Sequence, residues 1–252
     1  MKMLNVATSL CAVLVLALPC LASEGTSLGT VDIVHSDYGA YDQDGIAVWG
    51  AGRNGTIMYG GLYMLDKTAG TGEGNIWPNG PIGGFCIELH EPAPDNTYTY
   101  DVVMPENAYN SYVAGMIGAE KADYLRELWG RFFDPVWAGG GPYSAGQDSA
   151  AEAFAAAVWE IIYEDLPTSP LGWDVTADGT VCSGGFRCEG ADTTLANSWL
   201  HSLTGSGPKA DLRAFVHDGQ QDYIVEVPEP ATIALLGFSG IFTLLTRRRK
   251  VS

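Results

Sequence analysis

An α+β domain is predicted for this chain, with an antiparallel, barrel-like sheet as core and a grouped helical insertion. Three observations predict it. Strand-type alternation dominates up to Val103 and returns from Leu212 to Val227. Helical periodicity is confined to the stretch between. The order strands, helices, strands, with no internal repeat, suits segregated helices over an antiparallel sheet better than a βαβ fold. Residues 23–227 are expected to form one extracytoplasmic body, long enough for a full core.

Val31 and Ile33 alternate, and Ile46, Val48 and Trp49 begin a second strand. Arg53-Asn54-Gly55 reads as a tight turn before a strand over 56–65. Residues 68–84, rich in Gly, Pro and Asn, read as a loop. Phe85 to His90 follows as a buried strand, broken by Pro92 and Pro94, and Tyr98, Tyr100 and Val102 alternate on its partner.

Leu125, Leu128, Trp129 and Phe132 share one helical face. Ser149 and Glu152 have the spacing of a capping box for a second helix, with Phe154, Val158, Ile161 and Ile162 inward. Its run of alanines allows close packing. Residues 171–190 read as a loop or hairpin, and Asp192 or Thr193 caps a third helix. The last hairpin turns at Asp218-Gly219 and returns through Tyr223, Val225 and Val227.

The termini differ from the body. Residues 1–22 read as a secretory signal peptide, with Lys2, an apolar core from Leu10 to Leu18, and cleavage after Ala22. At the other end, Pro228, Glu229 and Pro230 precede sixteen uncharged residues, 231–246. As a helix these span about 24 Å, slightly short of a bilayer core. Arg247, Arg248, Arg249 and Lys250 then act as a membrane stop that stays cytoplasmic. Five of the thirteen basic residues lie in residues 1–22 and 230–252, and none of the thirty acids does. The body between them therefore balances eight bases against thirty acids. That excess argues against nucleic-acid and anionic-membrane partners. Export also sets the cysteine chemistry: Cys182 and Cys188 are expected to pair as a disulfide, leaving Cys86 odd.

The proline-bracketed acid, short apolar segment and basic stop at 228–252 resemble the PEP-CTERM sorting signal of Gram-negative bacteria. The resemblance implies an exosortase-type membrane protease as partner and transient residence in the inner membrane. Delivery to the cell surface, outer envelope or extracellular matrix would follow.

Phe85-Cys86-Ile87 and Ala157-Val158-Trp159-Glu160 are similar to a second family, the bacterial surface thioester domains. The resemblance implies an internal thioester between a cysteine, here Cys86, and a glutamine. The position it gives that glutamine, four before Trp159, is Ala155. A degenerate, unbonded relative is therefore expected, although Gln147, Gln220 and Gln221 are other carboxamides in the chain.

On a strand, Cys86, Glu88 and His90 would share one face, but no third catalytic partner or metal-ligand spacing accompanies them. Neither a metal nor a cofactor is expected. Trp77, Trp137, Trp173 and Tyr143 lie in loops, where aromatic side chains either stack on sugars as platforms or anchor the loops onto the core. The expectation is a non-enzymatic surface or matrix protein with a structural or adhesive role. Extracellular polysaccharide is a candidate partner, and a covalent adhesin acting through Cys86 is the alternative.

Overall fold

The structure, a computed structural model, describes residues 26–110, 115–177 and 185–228. The expected signal peptide and the apolar segment 231–246 lie outside them. Among the described residues no helix is long and apolar enough to cross a membrane.

The strands are β1 (Gly29–Tyr41), β2 (Ile46–Gly50), β3 (Arg53–Met58), β4 (Gly61–Gly72), β5 (Gly80–Cys86) and β6 (Tyr98–Val103). Two short strands, β7 (Tyr109–Asn110) and β8 (Gly115–Met116), lead into helices α1 (Ala119–Phe132) and α2 (Ala145–Tyr163). Then follow β9 (Phe186–Glu189), α3 (Thr193–Ser202), β10 (Leu212–Val216) and β11 (Tyr223–Glu226). Six strands close a barrel in the order β1-β4-β5-β11-β10-β6, every neighbouring pair antiparallel. A separate sheet runs β3-β2-β9. The α+β class, barrel-like core and grouped helices match expectation, with β9 interrupting the helices.

Closure depends on bending. The long pair β1–β4 shifts register at Asp32/Ile33, His35/Asp37 and Tyr38/Tyr41. Such bulges coil a strand enough for a sheet to meet itself.

Several boundaries differ from expectation for one reason: pairing partners decide where a strand stops. The chain turns at Gly50-Ala51-Gly52, where all three φ values are positive, and Arg53-Asn54-Gly55 already belongs to β3. The single strand expected over 56–65 is split, because its halves belong to different sheets. The expected loop over 68–84 is largely ladder, since β4 runs on to Gly72 and β5 begins at Gly80. The expected strand Phe85–His90 leaves the ladder after Cys86.

Helix α2 is the centre of the packing. It starts one turn earlier than Ser149: Ser144 and Gln147 form the capping box. Nearly every side chain from Ala151 to Tyr163 is buried, so α2 is a core helix rather than an amphipathic one. Trp77, Trp137 and Trp173 are likewise buried, not platforms for sugars. They tie their loops to the core; Trp77, for example, meets Phe215 edge to face.

Because α2 begins early, Glu152 falls inside the helix, buried, with Oε1 lacking a partner. Burial, then the charges of Asp42 and Asp44, push its carboxyl up to about 7. A carboxyl that binds its proton more tightly when folded costs stability as pH rises from its unfolded value through about 7. Glu152→Gln should therefore stabilise the protein by roughly 1–3 kcal/mol at pH 8, with the gain gone near pH 4. Thermal melts of both proteins at the two pH values read this directly.

Candidate functional site

Alternation along β5 sends neighbouring side chains to opposite faces. Phe85 packs under the helices, its ring against Trp129, Trp137 and Phe154. Cys86 points the other way and sits opposite Tyr223 in the β5–β11 ladder. One bond past the ladder, the Ile87 amide donates to Asp222 O at 2.9 Å. The chain before β11 is fixed as well, by the Gln221 amide donating to Pro92 O at 2.9 Å.

This pairing brings a thiol and a carboxamide together. Gln221 Nε2 lies 2.9 Å from Cys86 Sγ, and both residues are 2 % exposed. The thiol donates to Glu88 O at 3.0 Å, and Gln221 Nε2 also reaches that carbonyl, at 3.4 Å. The other end of the carboxamide is held too: Tyr223 Oη donates to Gln221 Oε1 at 3.0 Å. Tyr63, whose ring packs against Tyr223, also faces Gln221. Burial pushes the Cys86 thiol far above its ordinary value and does the same to Tyr223, so both stay protonated at neutral pH.

Helix α2 clamps the segment from the far side. Trp159 Nε1 donates to Cys86 O at 2.9 Å. Tyr163, one turn on, accepts from the Leu89 amide at 3.0 Å and donates to Ile87 O at 3.3 Å. Ala155 lies on the same helix, buried. Cys86 is a free thiol, and the carboxamide beside it comes from the chain just ahead of β11, not from α2, where Ala155 stands. Gln147 is spent on the α2 cap.

The shared face expected for Cys86, Glu88 and His90 is not formed, because the chain has left the ladder after Cys86. His90 Nε2 instead lies 2.8 Å from Ala51 O, and its amide donates to Glu88 Oε1. Among the described residues no group of His, Cys, Asp or Glu could hold a metal ion. Cys188 is buried on β9, its thiol pushed up to about 12 by burial and the charges of Glu160 and Glu152. Its expected partner Cys182 lies outside the described residues.

The polar framework around the thiol was not marked in advance. Tyr63, Tyr100 and Tyr223 are spread over three strands, and only closure of the barrel collects them. Gln221 was visible as a carboxamide ahead of the last strand, and Cys86 as part of a buried strand, but their pairing was not.

The end of the body is tied as firmly as the site. Trp77 Nε1 donates to Glu226 O at 2.9 Å, and Trp129 Nε1 to Glu226 Oε2 at 3.1 Å. The Val227 amide donates to Asp211 O at 2.8 Å. The packed chain thus runs to within one residue of Pro228. Glu229, Pro230 and the basic stop Arg247, Arg248, Arg249 and Lys250 lie outside the described residues. A family model for the PEP-CTERM protein-sorting motif matches residues 226–250. The chain carries a PEP-CTERM sorting signal. The signal marks it for surface sorting by an exosortase, a membrane protease, through a membrane-anchored precursor. No curated protein and no solved structure matches the chain.

Two expectations follow. Trp159→Phe keeps an aromatic side chain but removes the indole N–H from the buried Cys86 carbonyl, which should cost about 1–3 kcal/mol in denaturant unfolding. In the sorting signal, replacing Arg247, Arg248 and Arg249 by Ser removes most of the cationic stop. Cell fractionation should then find the precursor misoriented or unsorted; normal surface delivery would count against the stop role.

Proposed function

We propose that this chain is an exported surface protein whose body forms an internal thioester between Cys86 and Gln221 and uses it to acylate amines on a target. The observation that carries the reading is the 2.9 Å approach of Gln221 Nε2 to Cys86 Sγ in a buried site. Cys86 also stands in the Phe-Cys-Ile stretch that resembles thioester domains.

The bookkeeping is simple. The sulfur attacks Gln221 Cδ, the C–N bond breaks, and the thiol proton leaves with the nitrogen as ammonia. No oxidant or cofactor is consumed. Tyr223 Oη is placed to donate to the carbonyl oxygen as charge develops on it. Holding thiol and carboxamide together supplies the proximity that the reaction needs. Burial then protects the product from water.

In the second half-reaction an amine nitrogen takes the acyl group and Cys86 is released as a thiol. The result is a permanent amide to Gln221. Such a protein works once, as a covalent adhesin rather than an enzyme. Surface sorting delivers it where lysine amines, or amino groups on matrix polysaccharide, are within reach.

Intact mass of the purified chain tests the reading. The expected result is a loss of one ammonia, absent in Cys86→Ala and in Gln221→Ala. Methylamine should add to the wild-type chain alone. A wild-type chain at full mass and inert to methylamine rejects the thioester and leaves a structural surface role.

A further inference from the structure

A cavity of about 160 Å³ is lined by Glu88, Asp222, His217 and Tyr109 among others. Two of these residues stand close in the chain to the reacting pair. Glu88 follows Cys86 by two residues, and Asp222 follows Gln221. Glu88 is only 7 % exposed, and its own carbonyl accepts from both Cys86 Sγ and Gln221 Nε2. One carboxylate oxygen is fixed by the His90 amide at 2.6 Å. Glu88 therefore lines the cavity while its main-chain carbonyl holds the thiol and the carboxamide.

Resting on the thioester reading, we propose that the cavity admits the target amine and that Glu88 is the catalytic residue that shuttles its proton. The nitrogen attacks Gln221 Cδ and sheds one proton to the Glu88 carboxylate. The C–S bond breaks, and Glu88 returns that proton to the departing sulfur. Atoms and charge balance: a neutral amine and a thioester give an amide and a thiol. The return step matters because a buried sulfur leaves poorly as an anion.

The surroundings suit this role. Burial pushes the Glu88 carboxyl up to about 7, opposed by the His90 amide, raised further by Glu91 and lowered by Arg53. From α2 it faces Tyr163, and beside it is Cys86. His217, Asp218 and Asp222 line the same cavity. A group poised near neutral pH serves as both acceptor and donor of a proton. The acidic lining favours a cationic amine over an anion.

The test uses the full chain, with intact mass reporting bond formation and methylamine addition measured on the bonded fraction only. The wild-type rate, divided by the concentration of unprotonated amine, should fall as pH drops through about 7, because Glu88 then carries the proton it must accept. In Glu88→Gln that fall should vanish and the rate should drop about a hundredfold. Glu88→Asp should recover part of it. A flat wild-type profile, or Glu88→Gln reacting at the wild-type rate, overturns the proposal while leaving the thioester in place. A wild-type chain that never loses ammonia removes both.

Discussion

The ladder between β5 and β11 is the constraint on which the rest depends. These strands lie more than a hundred residues apart in the chain, and their pairing both completes the barrel and sets Cys86 opposite Tyr223. Because side chains alternate with a period of two, a one-residue slip would send Cys86 toward the helices and Phe85 toward Gln221. Register is held by burial on both faces. Phe85 has an aromatic nest on one side, and Tyr223 has Tyr63 and Tyr100 on the other. Bonds beyond the ladder, from Ile87 to Asp222 and from Gln221 to Pro92, extend the pairing past its last rung.

Helix α2 gives that ladder its rigid backing. Its alanines let it lie close on the barrel, and Trp159 and Tyr163 reach over to bond the carbonyls of Cys86 and Ile87. The chain leaving β5 would otherwise carry unpaired backbone groups into the core. Meeting them from a helix lets the strand stop abruptly at Cys86 without losing its position. The abrupt stop turns Glu88 away from a regular strand face and toward the cavity. The same economy governs the other end of β11, where two indoles fix Glu226 just ahead of the sorting signal.

Much of the architecture was legible in order of residues. The alternation of Val31 and Ile33, the apolar face of α1, and the final hairpin through Tyr223 and Val225 all form as their patterns say. Local patterns failed where long-range partners overrode them. The end of β4 and the start of Gly-rich β5 read as a loop because glycines carry no burial signal, yet the ladder recruits them. Ser149 and Glu152 have the spacing of a cap, but Ser144 holds it, and Glu152 is drawn into the core. The tryptophans in loops could be read as sugar platforms or as core anchors, because a loop's neighbours cannot be read from its own residues; the structure makes them anchors.

By itself the sequence determined the address: a proline-bracketed acid, an apolar stretch and a cationic stop are contiguous, so their chemistry can be read along the chain. It also determined the fold class, which follows from periodicity, and it singled out Cys86. What only the tertiary structure decided is the identity of the carboxamide beside that thiol. The local pattern pointed to the helix, where alanine stands. Closure of the barrel instead delivers Gln221, because proximity between distant residues is set by strand order and register, neither of which is a local property of the chain.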